Sequence, residues 1–501
     1  MKRNTTEDNG VYNLGLLSWT VQTFYILHST TQPLPPLRKS NMFNTQSYTN
    51  EHSVTSHLYQ AERQNTQTQQ SPPRTPAERY NNNHKLVMNE NITPHPQRLV
   101  QPQADSPHIL IVGAGVIGLV TAWALLDRGY KVTVLSKGWA NVGQNHGDRL
   151  TSQIAGALWE FPPAVCGSHI DAVSLEYSKH WCMTAYWAWK QIADDAGLSR
   201  EAGVRMTQSN FFFPQQLSDE NAKCQKLMNK MMEIAGSGVE GFRHAGAKLA
   251  EERGVNPKYE GGIMDGYELS VPVIDTDQAM HWLTNLVLSK GATMTTRTIE
   301  TDLLLVEKDL RNEFHADAIV NATGLYGGAL SGDDSCSPLR GALLRVVNDG
   351  TTFPKVNAAL SISADVSEDN EIIFIVPRTD NILLIGGIAQ DNQWDLDLTL
   401  DTPVVQRMRA RANEFLPGLK NAKLDPAYPL AQGLRPARSK NVRVERELRR
   451  LESAESSSRI VHCYGHGGSG WSLSFGCAAD VIDLLDEAIE GKEPEAMNYR
   501  I

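Results

Sequence analysis

The sequence predicts an α/β domain of Rossmann type, interrupted by an inserted α+β domain. Three observations predict it. Ile109-Leu110-Ile111-Val112 is a continuous apolar run, as in a parallel strand buried on both faces. The glycine-rich stretch Gly113–Gly118 follows at once, and helical apolar spacing over Thr121–Arg128 leads into a Val- and Thr-rich strand at Lys131–Leu135, which completes the start of a βαβ unit. A second glycine-rich stretch, Gly467–Gly470, lies far downstream between a short strand, Ile460–Cys463, and a closing helix, Ser474–Glu490.

Between these landmarks, helical patterns run over Ala172–Ala196, Asp219–Ala235 and Thr276–Lys290. Ala318–Val320, Ile372–Val376 and Ile382–Ile385 read as strands. The first hundred residues differ in kind. Thr45–Gln70 is rich in Thr, Gln, Ser, Asn and His, and Ser71–Asn83 continues with Pro and Asn. Such a stretch has few apolar side chains to offset the entropy of ordering it. Residues 1–105 are therefore expected to be a disordered extension, or the product of a mis-called gene start with Met88 as the true beginning.

The chain has 501 residues, a formal net charge of -10 and 41% hydrophobic residues. That balance excludes the broad basic field a nucleic-acid partner needs. The six cysteines show no CxxC or other zinc-ligand spacing, so they are expected to be buried free thiols, with no metal site. Leu14–Leu27, interrupted by Ser18, Thr20, Gln22 and Thr23, is too short and too polar for a membrane span. The C-terminal Asn498-Tyr499-Arg500-Ile501 is not a clear peroxisomal signal. The expected location is cytoplasmic or peroxisomal.

Three motifs carry chemistry. In Gly113-Ala114-Gly115-Val116-Ile117-Gly118, Gly113 permits the tight turn, Gly115 lets backbone approach a pyrophosphate, and Gly118 lets helix and strand pack closely. The helix N-terminus adds amide donors and the positive end of a dipole. The acidic residue expected at the end of the second strand is missing, because the chain reads Leu135-Ser136-Lys137. Lys137 leaves a 2′-phosphate, and so NADP, open as an alternative. The second motif, His466-Gly467-Gly468-Ser469-Gly470-Trp471-Ser472, can bring bare backbone against a planar ring system. The third, Gly433-Leu434-Arg435-Pro436-Ala437-Arg438, fixes an arginine beside a rigid proline, which suits bidentate carboxylate binding. No GxSxG elbow, HExxH or paired-carboxylate motif competes. The basic run Arg443–Arg450 alternates with Glu445 and Glu447 and is expected to be a solvated strand and turn.

Together these stretches resemble the D-amino-acid oxidase family, which includes D-aspartate oxidase. The matching pieces stand in the family's order over about 108–490 and include HILIVGAGVIGLVTAW, LTSQIAGALW, AIVNATGLYGGAL, IIFIVPR, GLRPARSKNVRVERE and IVHCYGHGGSGWSLSFGCA. The segment from Leu158 to Lys190 is similar to a microbial branch. The resemblance implies FAD held by Gly113, Ala114, Gly115, Val116, Ile117, Gly118, Ser136, Lys137, Thr151, Ser152, Gly156, Ala157, Leu158, Thr298 and Ile299. It adds Gly467, Gly468, Ser469, Gly470, Trp471 and Ser472. It implies that Arg435 grips a substrate carboxylate and that the Gly468 carbonyl accepts a hydrogen bond from the substrate amine, with oxygen as the second substrate. On this resemblance the FAD-binding domain comprises 106–212 with inserted helices, 291–345 and 431–501, and the substrate domain 213–290 and 346–430.

Three positions depart from the animal members. Phe374 and Asn370 stand where those carry tyrosines, and Ser469 replaces a third. Phe374 is thus expected to line the substrate site without a hydroxyl, with Tyr267 as a candidate donor from another strand. The function implied is FAD-dependent oxidation of D-amino acids. A glycine- or sarcosine-type FAD amine oxidase, an NADP-dependent dehydrogenase and a non-catalytic flavin protein stand as alternatives.

Overall fold

The computed structural model describes residues 86–140, 149–163, 172–362, 372–452, 454 and 456–496. The chain divides into Met1–Gln70 and Ser71–Ile501. The former, with the expected disorder up to residue 85, Cys166 and Asn370, lies outside the described residues.

The glycine motif folds as its chemistry dictates. His108–Val112 is a buried strand, and it pairs in parallel with Lys131–Ser136 on one side and Ala318–Asn321 on the other. Thr293–Thr296 and Ile460–Tyr464 extend the sheet in parallel, and Arg443–Arg446 closes one edge antiparallel. All twelve residues of the helix Val116–Asp127 are buried. A helix so enclosed has no polar face to show, which is why its sequence, VIGLVTAWALLD, is apolar all round. It packs between the closing helix Gly470–Ile489 and the helix Thr276–Ser289. Trp123 meets Trp282 and Phe475 edge-on at 5.6 and 5.4 Å.

Among the described residues the second sheet has nine strands and is mostly antiparallel. Its spine runs Cys336–Val347, Ile382–Gly386, Ile373–Pro377, Ala359–Ile362, Val204–Phe213 and Asp265–Ile274. The whole of Leu430–Arg438 pairs antiparallel with Cys336–Leu344. Three expected boundaries are corrected by this. Val204–Phe213, Cys336–Val347 and Leu430–Arg438 belong to the second sheet, although residues up to 212, 291–345 and 431 onward were assigned to the first domain. Apolar runs mark strands, but they do not reveal which distant strand completes the ladder.

The expected extension is also shorter than 105 residues. Leu86, Met88 and Ile92 are buried in the main core. The Thr93 carbonyl accepts the Trp123 indole N–H at 2.8 Å, and Asp127 accepts from the Thr93 amide at 2.7 Å. Asp127 also pairs with Lys290 at 2.7 Å, both side chains fully buried, and Arg98 donates to the Lys290 carbonyl. Few apolar residues suffice here because the segment fills a groove whose polar walls need its backbone.

In the run Arg443–Arg450, residues 448–450 are exposed as expected, but the strand before them is not solvated. Arg443, Arg446 and Glu447 are buried. Arg443 donates to the Tyr464 hydroxyl at 2.6 Å, and Glu447 binds Arg449 at 2.6 Å and His462 at 3.2 Å. The alternating charges that suggested a wet strand are pairs satisfied inside. Of the aromatic stripe Trp181, Tyr186, Trp187 and Trp189, whose helical spacing predicts packing, Trp181, Tyr186 and Trp189 are core and Trp187 is exposed.

Candidate active site

One cleft of about 730 Å³ is lined by both glycine stretches and by the arginine strand. Such a volume suits a cofactor or a substrate-sized ligand. Gly113 has φ +114, and a Cβ there would collide with the Ala322 carbonyl. A Cβ on Gly115 would come within 3.2 Å of the Ser152 hydroxyl, which itself accepts from the Val116 amide at 3.0 Å. Bare backbone and a helix N-terminus whose N-cap, Gly115, carries no side chain thus face the cleft, the arrangement a pyrophosphate requires.

The other walls come from separated segments that hydrogen bonds tie together. The Thr151 hydroxyl donates to the Leu434 carbonyl at 3.2 Å, and the Trp471 indole donates to the Ser152 carbonyl at 2.9 Å. Arg378, buried, donates to the carbonyls of Ala155 and Ile274 and to Thr276, which holds the turn Gly156–Leu158 in place. Burial pushes its guanidinium down to about 10. This positioning arginine was missed in sequence, because nothing near Arg378 in the chain reveals its distant partners. Phe374 lies with its ring tip against Gly156, which has no room for a Cβ.

Most expected residues line the cleft: Gly113, Ala114, Gly115, Val116, Ile117, Ser136, Lys137, Thr151, Ser152, Gly156, Ala157, Leu158, Thr298, Ile299, Phe374, Arg435, Gly467, Gly468, Gly470 and Trp471. Gly118, Ser469 and Ser472 do not. Gly118 faces the Gly113 carbonyl, where it allows close packing. Ser469 is the residue before the closing helix, which begins at Gly470 rather than after Ser472, so Ser472 sits buried in the first turn. Tyr267 is also absent from the lining and stacks on Phe211 at 5.1 Å.

Four cationic side chains line the cleft, Lys137, Arg149, Arg297 and Arg435. Lys137 lies over the Tyr326 ring at 4.5 Å, Arg149 pairs with Asp277, and Arg297 pairs with Glu313 at 2.7 Å. Arg435 has no carboxylate or aromatic partner among the described residues. Its one hydrogen bond goes to the Ile388 carbonyl at 3.1 Å, and burial pushes its guanidinium down to about 10. It lies across Gly341, where a Cβ would collide with the guanidinium. Gly341 was missed in sequence because its role depends on a cross-strand neighbour. The adjoining Pro436 carbonyl accepts the Gly467 amide at 2.9 Å, so the arginine strand and the second glycine stretch are fixed to one another. Arg438, by contrast, is spent on Asp333 at 2.8 Å.

The family model described as "FAD dependent oxidoreductase" matches residues 108–484. The chain belongs to that family. FAD is therefore its cofactor, and the glycine turn, the 151–158 segment and Gly467, Gly468, Gly470 and Trp471 line the cleft that would receive it. The NADP alternative falls with this assignment, and Lys137 is accounted for by its place over Tyr326. A D-amino-acid oxidase from Streptomyces coelicolor is 29% identical over 75% of this chain and 96% of its own length. One from Fusarium vanettenii is 26% identical over 76% and 96%. Among solved structures, glycine oxidase from Geobacillus kaustophilus shares the fold with a TM-score of 0.56 and 17% identity, covering 79% of this chain and 98% of that one. No helix of the described residues is long and apolar enough to cross a membrane.

Proposed function

We propose that this flavoenzyme oxidises D-amino acids to 2-oxo acids, ammonia and hydrogen peroxide. The observation that carries the reading is the unpaired Arg435 guanidinium on the cleft wall. A half-buried cation without a counter-ion is costly, and a substrate carboxylate supplies the missing charge. Two parallel N–H donors of the guanidinium hold the carboxylate in one plane. The Gly468 carbonyl accepts from the substrate amine, and the Gly467–Pro436 hydrogen bond fixes its distance from Arg435. FAD, held by the Gly113–Gly118 turn, the 151–158 segment and the second glycine stretch, would supply the two-electron oxidation of the Cα–H bond, with oxygen as the final acceptor. The imino acid released is hydrolysed by water. The substrate enters as the free amine, so no side-chain base is assigned. The apolar wall formed by Leu343, Ile362, Ile373 and Phe374 gives the side chain of the substrate an apolar surround.

Oxygen uptake on a panel of D-amino acids, their L-enantiomers, glycine and sarcosine tests this. The D-series should give the highest kcat/KM. Preference for glycine or sarcosine would replace the reading with the other amine-oxidase class.

A further inference from the structure

Outside the flavin chemistry, a second cluster of potential ligands stands at the back of the cleft. Cys463, His466 and Cys477 are all buried, and one donor atom from each lies within 4.8 Å of the other two. We propose that these three side chains form a binding site for a divalent zinc-class cation.

The fold assembles the site from three successive elements. Cys463 lies near the end of the strand Ile460–Tyr464, His466 in the following turn, and Cys477 two turns into the helix Gly470–Ile489. Gly465 at φ +82 and Gly467 at φ +56 reverse the chain on either side of His466, which folds its ring back over the strand end. The spacing in the chain, C-x2-H-x10-C, fits no zinc pattern read from sequence, because the helix rather than a loop returns the third ligand.

The chemistry favours a cation of this kind. The Nε2 atom of His466 lies 4.0 Å from the Cys463 sulfur, and this weak contact is the only hydrogen bond its ring makes among the described residues. Zinc bonds of about 2.3 Å to sulfur and about 2.0 Å to nitrogen need the three atoms to close in by only a fraction of an ångström to about one. Two thiolates and a neutral imidazole balance a divalent charge, so binding releases two protons and leaves a buried site with no net charge. Two sulfurs and a nitrogen select zinc-class ions over magnesium or calcium. Cys463 and His466 also line the cleft, which leaves a fourth coordination position on that side. Occupation would staple the Gly465–Gly470 turn to its helix.

The test uses the FAD-loaded enzyme, reduced at its thiols, stripped with a chelator and titrated with Co²⁺ without oxygen. The expected result is about one equivalent bound, with tetrahedral ligand-field bands to the red of the flavin absorption. Zn²⁺ should abolish these bands and should raise the thermal midpoint of the wild type. Cys477→Ala, which lies outside the cleft lining, should keep FAD, lose the bands and weaken zinc binding by more than about tenfold. Should that variant fail to retain FAD, the more conservative Cys477→Ser is read in the same way. Absence of the bands in the wild type, or identical binding in wild type and variant, would overturn the proposal.

Discussion

Replacing Arg435 by Met should raise stability and abolish most activity at once. The fall of the guanidinium from its ordinary 12.5 to about 10 reflects a cost of roughly 3 kcal/mol for holding the charge where burial disfavours it. Water in the cleft screens part of this, so a gain of about 1–2 kcal/mol in the ligand-free protein is expected. Methionine keeps the length and apolar stem of the side chain, and one hydrogen bond, to the Ile388 carbonyl, is lost, which offsets about 1 kcal/mol of the gain. Catalysis moves the other way. Two charge-assisted hydrogen bonds to a carboxylate, at about 1.5–3 kcal/mol each, are worth about two to four decades in kcat/KM. The assay pairs urea unfolding with steady-state oxygen uptake on the best D-amino acid, at matched FAD content. A variant with wild-type kcat/KM would remove the carboxylate site from Arg435. A variant that lost stability along with activity would show that the guanidinium is a structural support.

Other expectations follow from the same contacts. Gly341→Ala should leave FAD binding intact and raise KM at least about tenfold, because the new methyl displaces the guanidinium; stopped-flow substrate binding reads this directly. A chain that starts at Ser106 should be much less stable than one that starts at Lys85. The shorter one strips the Thr93 carbonyl from Trp123 and the backbone hydrogen bonds of Thr93 and Gln97 from the buried Asp127–Lys290 pair, at a cost of about 1–3 kcal/mol for each buried polar group left unsatisfied, and a calorimetric comparison of the two settles it. Stability should also fall in acid. Burial would raise the Glu447 carboxyl, but hydrogen bonds from His462 and Arg449 hold it well below the usual carboxylate range, and burial lowers His462 itself. Both groups therefore bind fewer protons folded than unfolded. The stability they confer is present above the ordinary histidine and glutamate values and is lost below about pH 6.5 and then about pH 4.5. Urea midpoints measured from pH 7 to pH 4 should decline accordingly, and a flat profile would refute the buried network.

The first sheet and its cofactor turn were legible because each signal is local. Strand, glycine turn and helix follow one another within Ile109–Asp127, and Gly118 meets Gly113 inside the motif, although Gly113 and Gly115 also meet the distant Ala322 and Ser152. The resemblance carried the distant pieces, Arg435 and Gly468, to the same cleft. What stayed hidden depends on partners far along the chain. Gly341 matters only because Arg435 crosses it, and Arg378 only because it reaches Ala155 and Thr276. The charges of Arg443–Glu447 look solvated until Tyr464, Asp333 and His462 are placed around them. Leu86–Thr93 is too short an apolar stretch, set among polar and proline-rich residues, to announce a core segment, yet it packs into the main core and holds the Trp123 indole.

The central claim is that this cleft presents the Cα–H of a D-amino acid, held by its carboxylate, to bound FAD. Anaerobic mixing of the purified yellow protein with D-alanine, L-alanine and ethylamine in parallel tests it most directly. The account predicts rapid loss of the flavin's visible absorbance with D-alanine or another small D-amino acid, and none with the L-enantiomer or with the amine that lacks a carboxylate. Bleaching by ethylamine at the same rate, or by the L-enantiomer in preference, would contradict it.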